Sequence, residues 1–213
     1  MDTKRLTFAL MMGALGSALF AISYYAGPIA PGIALDFSLI AIFIAGFFGG
    51  SSTGFVAGIL AGILPGIMFG PMGMGGVAGL IGLPLGKALS GLTSGLLARI
   101  LHFDKKSRSS LVGIPTTYLS YVPEAVFTYI YFILIMGSIA IGGNIFFTAI
   151  LPKAIVEVTI ISVIIASLMG NNGFSSFVRA HFTKTKPDLN SLRHQKTENP
   201  SSFVVKTEVN KKE

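Results

Sequence analysis

The sequence predicts an all-α integral membrane protein, six transmembrane helices in a compact bundle with both termini on the cytoplasmic side. Three observations carry that expectation. Of 213 residues, 52% are hydrophobic and only 12% are charged. Between residues 6 and 98 the only charged side chains are Asp36 and Lys87, too few to keep a folded domain in water, whereas apolar runs of about 20 residues are what a bilayer span requires. Finally, the stretch GFVAGILAGILPGIMFG carries glycine at every fourth position: Gly54, Gly58, Gly62, Gly66 and Gly70. Glycine costs a helix in water about 1 kcal/mol relative to alanine. In lipid, where no hydrophobic drive pulls helices together, small residues at i and i+4 let two backbones approach closely.

The first apolar run covers 6–25, behind Lys4 and Arg5. It is longer than the roughly 7–15 residues of a signal-peptide core and ends at no small-x-small cleavage site, so it predicts a retained helix. AGPIAPG at 26–32 breaks it by turn chemistry. The second and third runs, 34–50 and 53–70, are parted only by GGSS at 49–52 and also read as one broken hairpin. GPMGMGG at 70–76 leads into the fourth run, 76–101. HFDKKSRSS at 102–110 precedes the fifth, 111–136, and GGN at 142–144 precedes the sixth, 145–169. Two domains follow: a six-helix transmembrane domain over 1–170 and a basic, disordered cytoplasmic tail over 171–213, polar and poor in large apolar residues.

Charge placement sets the orientation. Lys4 and Arg5 precede the first run, Lys105, Lys106 and Arg108 follow the fourth, and the basic tail follows the sixth. An even number of spans puts all three groups on one side, which the positive-inside rule makes cytoplasmic; the expected location is the cell membrane, crossed many times. The net charge of +7 is thereby explained by topology. Eight of the sixteen basic residues lie from Arg179 onward, mixed with four acidic ones and not interleaved with aromatics, so nucleic acid is not an expected partner. With no cysteine, and with His102, His181 and His194 all in polar segments, the sequence offers no metal site. It calls for no cofactor.

Charged groups at membrane depth cost at least about 2.5 kcal/mol each to insert and are usually functional. Asp36, Lys87, Glu124, Lys153 and Glu157 are the five here. Two readings stay open: a structural ion-pair network, or a pocket for a polar solute. On the fifth run Thr117, Tyr121, Glu124, Thr128 and Tyr131 follow i, i+4, i+7, i+11, i+14 and share one helical face. Lys87, Ser90 and Ser94 share a face of the fourth run, and Lys153 and Glu157 stand one turn apart on the sixth. Pro123 and Pro152 each precede one of the charges; a proline frees a backbone carbonyl that lipid cannot satisfy, which turns its neighbourhood toward protein or a cavity.

Three segments, KRLTFALMMGALGSALF, DFSLIAIFIAGFFGGSSTGFVAGILAG and ILPKAIVEVTIISVIIASLMG, are similar to the first helix, the second and third helices, and the last helix of one known family: residues 4 to about 170 resemble the substrate-binding S components of energy-coupling factor (ECF) transporters. The resemblance implies a subunit that captures a small polar micronutrient or vitamin and is not itself an enzyme. ATP hydrolysis would lie in separate ATPase subunits, joined through a transmembrane T component, with membrane lipid around the bundle. The absence of GxxxxGK[ST] from this chain fits that division. It also implies that a small-xxx-small face on the first helix docks the T component; Ala9 with Gly13 and Ala14 with Ala18 both have the spacing. The solute would meet residues among Asp36, Lys87, Thr117, Tyr121, Glu124, Thr128, Lys153 and Glu157. The N-terminal histidine motif of the family's cobalt and nickel branch is missing from MDTKRL, and so is every tryptophan.

Two other functions compete. One is an intramembrane enzyme acting on a lipid, with Glu124, Glu157 and Lys153 as acid, base or electrostatic stabiliser; HExxH, GxSxG and aspartate-rich metal motifs are all missing. The other is a stand-alone secondary transporter with Glu124 as proton carrier, against which the first three runs do not visibly repeat in the last three.

Overall fold

The computed structural model describes residues 1–27, 35–72, 75–101 and 109–182. These belong to one compact unit, Met1–Thr183, and are helical with short connections. The loop charges Lys105, Lys106 and Arg108, together with His102, His194 and the rest of the tail, lie outside the described residues. In chain order the helices are α1 (Thr3–Tyr25), α2 (Ser38–Gly49), α3 (Ser51–Phe69), α4 (Gly76–Ile100), α5 (Ser109–Met136) and α6 (Ile139–Ile145). A π-helical turn (Phe146–Ile150) then leads directly into α7 (Leu151–Gly170), and α8 (Asn172–Phe182) follows. By length and composition, four helical stretches can cross a membrane: Thr3–Tyr25, Ser51–Phe69, Gly76–Ile100 and the continuous run Ile139–Gly170. The architecture is all-α among the described residues and compatible with a membrane-embedded protein.

The glycine row of α3 does what its spacing suggests. A methyl group on Gly54 would stand 2.2 Å from the Gly91 carbonyl oxygen, one on Gly58 2.5 Å from that of Lys87, and one on Gly62 2.4 Å from the Cα of Pro84. The descending partners show that α3 and α4 run antiparallel with their backbones nearly touching. At such separations Cα–H groups reach carbonyl oxygens, and every side chain larger than hydrogen is excluded. α1 lies on the other side of α3: a methyl on Gly13 would fall 2.5 Å from Leu60 Cβ, and one on Gly16 2.6 Å from Ala61 Cβ.

α2 occupies the centre. All but one of its residues are buried, and it touches α1, α3, α4, α7 and α8, which is why it is apolar all round instead of on one stripe. Its 12 residues rise about 18 Å, well short of a hydrocarbon core of about 30 Å. The second predicted span, 34–50, is therefore corrected: residues 35–37 are not helical, and Asp36 accepts a hydrogen bond from the Ser38 amide at 2.9 Å just ahead of the helix. Gly50, at φ 91°, makes the tight link to α3 that a side chain would strain.

A second correction concerns the boundary at 170. The helical unit continues through α8, whose Phe174, Val178 and Phe182 recur at i, i+4, i+8. Phe174 meets Phe48 with ring centroids 5.6 Å apart, Val178 is buried, and Phe182 stacks on Phe8 at 4.8 Å. Asn171 caps it, its Oδ1 accepting the Phe174 amide at 3.0 Å. Three apolar residues spaced for one helical face are enough to dock a short helix even in an otherwise polar segment.

Candidate functional site

Four elements deliver charge to one place. Lys87 sits on the twelfth of the 25 residues of α4, half-way along a helix of membrane-crossing length. Its Nζ donates to Asp36 Oδ2 at 2.5 Å and to Ser38 Oγ at 2.8 Å. The start of α2 therefore lies beside the middle of α4. Asp36, partly buried, is tied from both oxygens, Oδ1 by the Ser38 amide and Oδ2 by the buried Lys87, so this pair is satisfied.

One turn along α4, Ser90 Oγ donates to Glu124 Oε2 of α5 at 2.6 Å. Among the described residues no lysine or arginine lies within 4 Å of Glu124. Thr93 Oγ1, on the same face of α4, donates to the Ser120 carbonyl at 2.8 Å and stitches the two helices together. From α7, Lys153 Nζ stands 2.8 Å from Glu157 Oε2. That ion pair, one helical turn apart, gives the buried carboxylate of Glu157 its counter-charge.

The clusters act on one another. Lys87 interacts electrostatically with Asp36, then Glu124, then Glu157. Lys153 reaches Asp36 and Glu124 as well as its own neighbour Glu157. Tyr121, largely buried against the apolar core, feels Glu124, Glu157 and Asp36. The five charges and this phenol form a single polar centre among α2, α4, α5 and α7.

Other predicted site residues fall differently. Thr117 is buried but donates to the Gly113 carbonyl of its own helix at 2.8 Å, so its hydroxyl is occupied locally. Thr128 is half-buried, one turn beyond Glu124. Tyr131, at the far end of the stripe, lies against the start of α4: a methyl on Gly75 would fall 2.1 Å from its hydroxyl. The stripe thus serves three purposes along its length, and only Tyr121 and Glu124 meet the charges. Ser94 is likewise occupied, its Oγ donating to the Gly91 carbonyl at 2.8 Å. Ser38, absent from the expected set, was legible as the residue two after an aspartate at the start of an apolar run, an arrangement that favours a side-chain hydrogen bond to the helix start.

The two docking candidates on α1 separate cleanly. Ala9 and Gly13 are buried against the bundle, Gly13 on Leu60 of α3. Assigning them to a partner is corrected: their small face is already filled from within the chain. Ala14 and Ala18 are exposed on the opposite face, among Leu10, Leu15 and Ile22.

Among the described residues no three His, Cys, Asp or Glu side chains converge to hold a metal. A shallow depression of about 520 Å³ on the outer face of α5, lined by Ile114, Pro115, Tyr118, Leu119 and Val122, is apolar and turned away from the charges. Its Tyr118 hydroxyl is paired with Thr159 of α7.

No protein-family model, no curated protein and no solved structure matches this chain. Its chemistry rests on the geometry above.

Proposed function

We propose that this chain is the solute-capture subunit of an ATP-driven importer of the ECF type, embedded in the cell membrane and taking up a small polar micronutrient. The observation that carries the proposal is the convergence of five charges, from α4, α5, α7 and the segment just ahead of α2, beside the middle of α4, with Glu124 left without an ion-pair partner among the described residues. A purely structural network would be expected to close on itself, as Asp36, Lys87 and Ser38 do. Glu124 has only the Ser90 hydroxyl beside it, as a group kept for a ligand would.

On this reading the bundle has six spans, α6, the π turn and α7 acting as one and α2 as a short central one, with both termini cytoplasmic. ATP hydrolysis belongs to partner subunits, and the exposed Ala14 and Ala18 are the contact for the transmembrane T component. The backbone-to-backbone seam of α3 on α4 supports a compact body able to reorient as one piece beside such a partner.

The test is mass spectrometry on tagged protein purified gently from its own host. Recovery of a T-type membrane subunit with two ATPases and a retained metabolite is the expected result. A protein that emerges with lipid alone, under conditions that preserve known complexes of this kind, would overturn it. Because Glu124 has a hydroxyl and no cation beside it, a stand-alone proton-coupled carrier is the second reading. That reading requires solute uptake by the isolated chain in liposomes under a pH gradient.

A further inference from the structure

We infer that the end of the bundle crossed by α8 is a binding surface for anionic lipid headgroups, with Phe177 set into the lipid beside it. The inference rests on the membrane-embedded reading of the helices and is independent of what the polar centre binds.

Close backbone contacts and ring pairs bring the pieces to one end. α8 leaves α7 through Asn171 alone and then passes two other helices. Phe174 meets Phe48, one residue before the end of α2, and Phe182 stacks on Phe8, near the start of α1. α2 passes at once into α3, whose first residue lies against the last turns of α4: a methyl on Gly95 would fall 2.2 Å from the Ser51 amide nitrogen. The early part of α5 joins them, since a methyl on Gly113 would stand 3.2 Å from Ala166 Cα, near the end of α7. The starts of α1, α3 and α5 and the ends of α2, α4 and α7 thus share one side of the bundle. The 11 residues of α8 rise about 16 Å, enough to bridge neighbouring helices packed about 8–10 Å apart.

This end is basic and the other is uncharged. Lys4 and Arg5 in the first turn of α1 and Arg99 in the last turn of α4 are all exposed, and Arg179 belongs to α8. Against those four cations Asp2 is the one acid there among the described residues. At the opposite end, 24–27, 69–72, 75–76 and 136–139 contain no charged residue. Outside the polar centre, every cation among the described residues therefore belongs to the α8 side.

α8 itself has the pattern of a helix lying in a membrane interface. Phe174 and Phe182 pack on the bundle, and Val178 is buried between them. Phe177, about 100° around the helix from Val178, is turned neither onto the bundle nor directly away from it. It is 56% exposed, with the His181 ring packed on it at 4.5 Å. An aromatic ring held at the level of the helix ends, with cations at the same level, matches the boundary between headgroups and acyl chains. Anionic headgroups bring the charge that those cations lack. A nucleic acid or an acidic protein would satisfy the cations but leave Phe177 in water.

The chain has no tryptophan, so Phe177→Trp in the full-length protein supplies a single fluorescent reporter at an exposed position. The variant is reconstituted in phosphatidylcholine vesicles that contain brominated phosphatidylcholine or, in equal amount, brominated phosphatidylglycerol, with the bromines near the headgroup end of the acyl chain. Quenching by both, with phosphatidylglycerol favoured about fivefold or more, is the expected result. Lys4→Gln combined with Arg5→Gln should bring the two lipids toward parity, as should high salt. Equal quenching before those changes would overturn the anionic preference. An unquenched reporter would take α8 off the membrane surface and leave the cations to a soluble polyanion. A preference that survives the double variant unchanged would remove Lys4 and Arg5 from the surface. Protein that does not enter the vesicles would overturn the membrane reading beneath the inference. Native mass spectrometry of the unaltered chain, offered both lipids in equal amount, decides without the reporter: preferential retention of phosphatidylglycerol is expected, and equal retention would overturn the assignment.

Discussion

The two faces of α4 solve the problem of helix association in opposite ways. Toward α3 it presents glycine, backbone and the compact ring of Pro84: Gly91 and the backbone at Lys87 and Pro84 lie against Gly54, Gly58 and Gly62, with spacings that leave no room for a methyl. Toward α5 it presents hydroxyls, Ser90 to Glu124 and Thr93 to the Ser120 carbonyl, and beside Glu124 its Gly86 has slack. A methyl on Gly86 would find its nearest atoms, Glu124 Cγ and a Phe127 ring carbon, at an ordinary 3.5 Å. In lipid, dispersion between close backbones and hydrogen bonds between helices are the two available adhesives. This helix uses one on each side. The first leaves nothing adjustable; the second leaves polar groups that can exchange partners with a ligand.

Substitutions can break that contrast. The largest effect is expected from Gly91→Leu, whose Cβ alone would lie 2.1 Å from the Gly54 carbonyl oxygen. With backbone on both sides nothing can yield, so a loss of about 4 kcal/mol or more should appear as failure to run monodisperse on size exclusion. Next comes Lys87→Met, which strands the Asp36 charge and is expected to cost about 3–5 kcal/mol. Thermal unfolding of Lys87→Met, Asp36→Asn and the double variant should show the pair recovering part of the single losses, a coupling that two independent residues would lack. Lys153→Ala removes a partly exposed i, i+4 partner. Its stability cost should be smaller than that of Lys87→Met, because Lys153 is partly exposed and water can reach the carboxylate it leaves, and the measurement that moves is ligand affinity by titration. Unchanged affinity in both this variant and Glu124→Ala would remove these residues from the site. Smallest of all is Gly86→Ala, which should unfold within about 1 kcal/mol of the parent, on the stabilising side if helix propensity decides. A collapse there matching that of Gly91→Leu would erase the difference between the two faces.

Much of this was legible in the chain because the forces at work leave one-dimensional traces. Apolar runs placed α3, α4 and α5 within two residues at each end, since burial of about 20 residues needs no knowledge of neighbours. The five charges were legible for the same reason: apart from Arg99 near the end of the fourth run, nothing else in such runs is charged. The pairing was not. Lys87 and Asp36 are 51 residues apart, and Lys153, the nearer cation in sequence to both glutamates, leaves Glu124 without a pair. Helical spacing also cannot say what faces a small-residue stripe. Ala9 and Gly13 met α3, whereas the equally spaced Ala14 and Ala18 look outward. The short α2 was overestimated because hydropathy measures composition, and the residues around Asp36 are irregular for a reason that lies on α4.

The π turn before α7 has a consequence of its own. Each residue of an α-helix advances the azimuth by about 100°, so the wider turn at Phe146–Ile150, closed by the Leu151 amide on the Phe146 carbonyl, acts as a rotational spacer where Pro152 brings no amide of its own. Upstream, Gly142 lies so near α5 that a methyl would sit 2.6 Å from the Phe132 carbonyl oxygen; downstream, Glu157 is buried in the polar centre. Excising a single residue such as Ala149 would restore an unbroken α-helix and turn one of these two out of phase with α5. The extra residue is a gear tooth, and through it the far end of the last span and the charge at its middle are held in mesh with the same neighbouring helix.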